Sequence, residues 1–463
     1  MKIEQIYTGC LAQGAYYILS EGEAAVIDPL REVGPYLERA AKDGANIKYV
    51  FETHFHADFV SGHLDLSQKT GAPIIYGPHA QTGFDALMAT DGQEFRLGKV
   101  TIRVLHTPGH TLESTCYLLL DENGKEAALF SGDTLFIGDV GRPDLAQKSN
   151  LTMNDLAGYL YDSLRRKIMP LPDDVIVYPA HGAGSACGKN MSKETTDTLG
   201  NQKRFNYALR ADMTKEEFIR EVTAGLTKPP QYFPQNVKMN KDGYESLDVV
   251  MARGEQALSP EAFETAANAT GAVILDTRKA QVFHKGFIPN AVNIGLKGDF
   301  APWVGALLPD VRQPILLVTE PGEEEESILR LARVGYDHVI GYLEGGIMAW
   351  QEAGREMDTV ASVFVAELWQ KLNNKAALVI DVRRPGEFAE KHLEGAKNIP
   401  LESLNTLMSE LPKNQTLYIH CAAGYRSMIA ASILKSRGYD KVADIAGGFA
   451  AISQSANLQN LLR

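Results

Sequence analysis

"THFHADFVSGH", residues 53–63, puts three potential metal ligands, His54, His56 and Asp58, on one short loop and follows them with Phe59. The residues just before it, "KYVFE" (48–52), are apolar and rich in β-formers, so the histidines stand where a strand runs out. "AAVIDP" (24–29), "PIIYGP" (73–78), "VTIRVLHTPGH" (100–110), "AALFSGD" (127–133) and "VIVYPAH" (175–181) have the same form. Strands of a layered sheet deliver their loops to one edge. His110, Asp133 and His181, at or just past the ends of three of these strands, therefore converge on the first loop although they are far away in sequence. A lone histidine in a loop is usually a surface or core residue. The joint pattern H-x-H-x-D, T-P-G-H, S-G-D and P-A-H is a metal site, with six candidate ligands.

The gross numbers bound the rest. A chain of 463 residues is too long for one ordinary core, and two to four domains are expected. No apolar run approaches the roughly 18 residues of a membrane span. Glu4 and Gln5 interrupt the segment where an export signal would be continuously apolar. A formal charge of -12 argues against a general nucleic-acid binder. Four scattered cysteines, Cys10, Cys116, Cys187 and Cys421, do not make a disulfide framework and fit a reducing cytoplasm.

The first ~225 residues alternate apolar runs with Gly-rich loops, and "MNDLAGYLYDSLRRKIM" (153–169) has helical spacing. "LTKPPQYFPQNVKMNKDGY" (226–244), Pro- and Asn-rich with no clean period, reads as a connector. Beyond it the chain repeats itself. "AVILDTRKAQVFHKGFIPNAVNI" (272–294) lies over "ALVIDVRRPGEFAEKHLEGAKNI" (377–399) without a gap, pairing Asp276 with Asp381, Arg278 with Arg383 and Asn293 with Asn398. Two such copies predict two small α/β domains with mostly parallel sheets. The expected boundaries are 1–255, 256–357 and 358–463.

The first half resembles the metallo-β-lactamase superfamily. "THFHAD", "HTPGHT", "FSGDTLF" and "GRPDL" look most like its persulfide dioxygenase branch. That resemblance implies an αββα sandwich and carries the family's iron ligands onto His54, His110 and Asp133. His56, Asp58 and His181 are the positions that zinc relatives use to complete a two-metal site; around a single iron they are read as hydrogen-bond donors or acceptors to its bound ligands. Phe59 stands where such relatives place a further imidazole, and it offers no lone pair; His63, four residues on, is an alternative donor. Two imidazoles and a carboxylate on one face of Fe(II) leave positions open for dioxygen and a soft sulfur, whereas two-metal hydrolysis needs a second ion close by. Arg142 in "GRPD" matches the family's substrate-side arginine, with a salt bridge to Asp144 or Asp139 as the other reading. "GAGSACGKNMS" after His181 departs from glutathione-specific relatives and leaves the carrier thiol open. Cys187 within it is either packing or a persulfide way-station.

"YIHCAAGYRS" (418–427) is the second signal: a strand ends at Cys421, a small-residue loop follows, and a helix begins. Backbone N–H groups of the loop, the helix N-terminus and Arg426 make an anion cradle that favours a nucleophilic thiolate. Residues 358–463 resemble a rhodanese domain. The match makes Cys421 the persulfide-forming residue and Arg426 its catalytic partner, with Gly424 and Ser427 on the substrate side. Aligned through Gly322, the first copy has Thr319 at the cysteine and Glu324 at the arginine, within an acidic run, Glu323–Glu326. It is read as rhodanese-like without transferase chemistry.

The order sandwich, silent copy, active copy is similar to that of bacterial multidomain persulfide dioxygenase–sulfurtransferases. The resemblance implies one Fe(II) per chain, a low-molecular-weight thiol persulfide such as glutathione persulfide and O2 as substrates, sulfite or thiosulfate as partners of the transfer, and no nucleic-acid or membrane partner. Relatives of the sandwich commonly self-associate, so a homo-oligomer is within expectation. The rival is a zinc thioester hydrolase of the glyoxalase II type carrying rhodanese domains.

Overall fold

A computed structural model describes residues 1–146, 151–373 and 377–463. It separates into two compact units, Met1–Leu247 with Ala332–Gly335, and Asp248–Leu331 with Tyr336–Arg463. Both repeated segments fall within the second unit. No helix among the described residues is long and apolar enough to cross a membrane.

The first unit has two six-stranded sheets. One contains β1 (Lys2–Thr8), β2 (Gln13–Ser20), β3 (Glu23–Ile27), β4 (Asn46–Phe51), β5 (Ile74–Tyr76) and β6 (Leu87–Met88) in that spatial order. The other contains β7 (Glu94–Leu97), β8 (Val100–His106), β9 (Thr115–Leu120), β10 (Glu126–Gly132), β11 (Ile176–Pro179) and β12 (Asp197–Thr198), again as neighbours. All six strands expected from sequence are present. Tyr16, Ile18, Ile27 and Phe51 of the first sheet meet Phe95, Ile102, Tyr117 and Phe130 of the second in one buried cluster. Each fully buried side chain of this kind contributes ~1.5–3 kcal/mol.

The alternate residues are covered as well. Ala15, Tyr17, Val26 and Val50 pack against Tyr36 and Ala40 of helix Gly34–Asp43 and Leu66 of helix His63–Thr70. On the far side Leu118, Leu129 and Val177 pack against Leu160 of helix Met153–Ser163 and Phe218 of helix Lys215–Thr223. Both faces are buried along the central strands such as β2 and β9, which is why these read as continuous apolar runs rather than alternating ones. Helix Met153–Ser163 starts at a reciprocal Thr152–Asp155 capping box, and Leu164–Ile168 continue it as a π-helix.

The segment 226–244 is not an irregular connector. It contains helix Phe233–Asp242, with Pro234 in the first turn where a missing N–H costs nothing. Three prolines and two asparagines in the segment obscure its period.

In the second unit β13 (Ala257–Leu258), β14 (Val273–Asp276), β15 (Val292–Asn293), β16 (Ile315–Val318) and β17 (Val339–Leu343) form a parallel sheet in the order 13-17-16-14-15. Strands β18 (Ala361–Val363), β19 (Leu378–Asp381), β20 (Lys397–Asn398), β21 (Leu417–His420) and β22 (Val442–Ile445) repeat it in the order 18-22-21-19-20. The pairings read from sequence have matching geometry. Arg278 Nη2 lies 2.6 Å from Asp276, and Arg383 Nη2 lies 2.6 Å from Asp381. Asn293 Nδ2 donates to the Asp276 and Arg278 carbonyls at 2.9 Å, as Asn398 Nδ2 does to those of Asp381 and Arg383.

Asp444 on β22 is buried, and burial pushes its carboxyl from 3.8 up to about 6. A shift of that size corresponds to ~3 kcal/mol. The folded state binds the proton more tightly than the unfolded chain, so this group weakens the fold progressively as pH rises from 3.8 to about 6, and by a constant amount above that. Asp444→Asn is therefore expected to stabilise the second unit by about 1–2 kcal/mol above pH 6. The gain should vanish near pH 4, as followed by calorimetry across pH.

Candidate functional site

Three buried side chains from three strand ends come together. His54 follows β4, His110 follows β8 and Asp133 follows β10. Their ligand atoms all lie within 4.8 Å of one another. Asp133 Oδ2 is 3.4 Å from His110 Nε2 and 3.8 Å from His54 Nε2. Gly132 makes this approach possible: its φ is 52°, and a Cβ there would sit 2.7 Å from the Thr53 side chain.

The outer hydrogen bonds settle which nitrogen faces the centre. His110 Nδ1 is 2.8 Å from the Arg142 carbonyl, which can only accept, so Nδ1 carries the proton and Nε2 keeps its lone pair. Thr53 donates both its N–H, at 2.7 Å, and its hydroxyl, at 2.9 Å, to Asp28. The Thr53 oxygen is then an acceptor for His54 Nδ1 at 3.0 Å, and His54 Nε2 is likewise turned inward as a base. Burial and the neighbouring His56 hold His54 well below its usual range. Asp133 Oδ1 pairs with His181 Nδ1 at 2.7 Å, while buried Oδ2 has no hydrogen-bond partner among the described residues. Two imidazole lone pairs and an orphaned carboxylate oxygen on one face fit a single divalent ion.

The other candidate ligands fall into two further buried groups, Asp58 with His181 and Cys187, and His56 with Asp28 and Glu52. His181 lies between two carboxylates, Asp133 and, at 2.8 Å from Nε2, Asp58, and despite its burial they hold it well above its usual range. Cys187 joins Asp58 and His181 in a buried cluster, where burial and the two carboxylates keep its thiol well above the ordinary range. His56 Nε2 instead points to Asp28 at 3.1 Å and Glu52 at 3.4 Å. Burial opposes the charge, but these carboxylates push His56 up to about 10. The fully buried Phe59 ring lies 4.3 Å from the His56 ring and 6.4 Å from that of His181, centroid to centroid. A cavity of about 670 Å³ opens beside His110, lined by Phe55, His79, His106, Tyr159 and Lys241 among others.

In the second unit Cys421 follows β21 and is buried. The Gly424 N–H donates to its sulfur at 3.1 Å, and helix Tyr425–Ser436 begins at once. Arg426 forms a two-pronged pair with Glu387, Nη1 and Nη2 at 2.7 and 2.8 Å, which holds the Glu387 carboxyl down at about 2. Ser427 is wholly buried in the first turn. In the first copy Thr319 follows β16, and helix Glu324–Ala332 opens on three glutamates.

A model of the metallo-beta-lactamase superfamily matches residues 8–181, and a rhodanese-like domain model matches twice, at 259–353 and 364–455. A hydroxyacylglutathione hydrolase of Polaromonas sp. (strain JS666 / ATCC BAA-500) is 31% identical over 241 residues, spanning 45% of this chain and 86% of that protein. A solved metallo-beta-lactamase from Staphylococcus aureus subsp. aureus COL is 30% identical and covers 74% of this chain and 99% of its own, with a TM-score of 0.66. The chain belongs to the metallo-beta-lactamase superfamily. Its superfamily domain is followed by two rhodanese-like domains. ETHE1 from Myxococcus xanthus is a further solved relative, 30% identical over 52% of this chain and 98% of its own, with a TM-score of 0.45.

The remaining residues named from sequence are placed as follows: His181 bonds Asp133 directly. His56 is separated from Asp58 and His181 because the Asp28–Glu52 carboxylates draw its ring to the other side. His63 does not replace the missing imidazole: its Nδ1 faces Glu52 at 3.2 Å. Arg142 makes the salt bridge to Asp144 that was the other reading of it. It is buried, bonded to Asp144 at 2.6 and 2.8 Å and to the Ala186 carbonyl at 3.1 Å, so its guanidinium is a structural strut while its carbonyl orients His110. Sequence reading also missed supports of the first loop. Asn240 donates to the His56 and Phe59 carbonyls at 2.8 Å and accepts the Ser61 N–H at 2.9 Å. Nothing local marked it. Asp28, by contrast, ends an apolar strand just as Asp133 does, and that signal was available.

Proposed function

We propose that this chain is an Fe(II) persulfide dioxygenase coupled to a rhodanese sulfurtransferase. The observation that carries the reading is the ligand set His54, His110 and Asp133, with His56 turned to Asp28 and Glu52 and Phe59 where a further imidazole would be needed. Iron(II) held there would supply the activation of dioxygen next to a persulfide sulfur. The protein's part is to keep both histidines in the correct tautomer through Arg142 and Thr53, to fix Asp133 through His181, and to shelter the carrier in the cavity beside His110. The net change is RSSH + O2 + H2O giving RSH, sulfite and two protons.

In the second unit the Cys421 thiolate attacks the outer sulfur of a persulfide, breaking its S–S bond and releasing the carrier thiolate. Sulfite then attacks the outer sulfur now held on Cys421, forming thiosulfate and regenerating the cysteine. The Gly424 N–H stabilises negative charge on sulfur during both steps. Arg426, fixed by Glu387, presents positive charge at the rim.

A zinc thioester hydrolase is the second reading, favoured by the name of the Polaromonas relative and by the Asp58–His181–Cys187 cluster. Metal analysis and an oxygen electrode separate the two. The expected result is about one iron per chain and oxygen uptake on adding glutathione persulfide or another small persulfide, with sulfite formed. Two zinc ions per chain with thioester hydrolysis and no oxygen uptake would overturn the dioxygenase.

A further inference from the structure

The first rhodanese-like copy carries no thiol at Thr319, yet one of its loops lies directly against the sulfur-transfer loop of the second. Tyr425 stands between Gly424, whose N–H reaches the Cys421 sulfur, and Arg426. Its hydroxyl donates to the Gly295 carbonyl at 2.8 Å, and its ring lies flush on the backbone of residues 295–298. A Cβ on Gly298 would fall 2.7 Å from the ring, and one on Gly295 3.2 Å from it. Neither glycine has a left-handed φ, so the close approach of the ring, not backbone conformation, calls for the missing side chain.

A second bond from the first copy follows on the same helix. The Asn293 N–H donates to Ser432 Oγ at 2.9 Å. Tyr425 and Ser432 are seven residues apart and so share one helix face. The loop is itself braced within the first copy: the Leu296 N–H bonds the Thr277 carbonyl at 2.8 Å, and Arg330 Nη1 bonds the Leu296 carbonyl at 2.8 Å. Lys297 pairs with Glu323 at 2.8 Å, which gives part of the acidic run a structural use.

We propose that the silent copy is a positioning element for the active one, with Tyr425 seated on Gly295–Gly298 fixing the first turn behind Cys421. The seat holds the Gly424 N–H on the sulfur and Arg426 at the rim. This rests on reading Cys421 as the sulfur-transfer nucleophile.

The test uses the full-length chain with Gly298→Ala, Tyr425→Leu and the double variant. Two rates are measured: sulfur transfer from thiosulfate to cyanide, and iodoacetamide alkylation of Cys421 followed by peptide mass. Gly298→Ala is expected to slow both on the order of tenfold, because a displacement of under an ångström at a reacting group is costly. The loss should lie in kcat rather than KM, with oxygen uptake and melting temperature unchanged. Removing the ring leaves the new methyl nothing to strike, so the double variant should be no slower than Tyr425→Leu alone. Wild-type rates in Gly298→Ala, additive losses in the double variant, or a loss that merely tracks thermal unfolding would each overturn the positioning role. A Cys421→Ser chain that still transfers sulfur would overturn the sulfurtransferase reading instead, and the alkylation rates would still judge the positioning.

Discussion

A chain carrying His110→Ala is expected to retain less than about a tenth of the wild-type iron after desalting, and its persulfide-dependent oxygen uptake to fall on the order of 10³-fold. His110 supplies one of two inward lone pairs, and its tautomer is set by a carbonyl that cannot donate. Neither other buried histidine beside the site is placed to replace it. His56 is held by Asp28 and Glu52, and both nitrogens of His181 face carboxylates. The fold should survive, since removing the ring leaves the Arg142 carbonyl short of one donor, at about 1–3 kcal/mol. Full iron occupancy in this variant, measured by elemental analysis, would place the ion elsewhere.

The second large effect concerns Cys421→Ser. Enzymatic thiosulfate formation should drop by at least about 10⁴-fold while oxygen uptake stays at the wild-type level. A serine hydroxyl is not ionised at neutral pH and forms no persulfide, so the covalent intermediate is lost outright rather than slowed. The seat offered by the Gly424 N–H, 3.1 Å from sulfur, then has no anion to stabilise. Separate counts of oxygen consumed, sulfite and thiosulfate distinguish the two chemistries in one assay. Thiosulfate produced at an undiminished rate would remove Cys421 from the scheme.

Much of this is legible in the sequence. Six strand-to-loop junctions, the density of the H-x-H-x-D, T-P-G-H and S-G-D patterns, and the ungapped repeat fix the classes of the domains, because apolar period and turn chemistry are local properties. That the first copy has threonine and glutamate where the second has Cys421 and Arg426 is likewise plain from residue identity. What sequence spacing could not decide was orientation. His54 and His56 are two residues apart on one loop, yet one faces the metal site and the other a pair of carboxylates delivered by β3 and β4. Arg142 matched a substrate-side position but met Asp144 two residues on, and a buried guanidinium takes the carboxylate that is already there. Asn240 and Tyr425 owe their roles to backbone carbonyls far off in sequence, at 56, 59 and 295. Residue type and spacing set which groups are available. Which of them share a centre is decided by where burial leaves a charge or a carbonyl needing a partner, and that depends on packing across the whole chain.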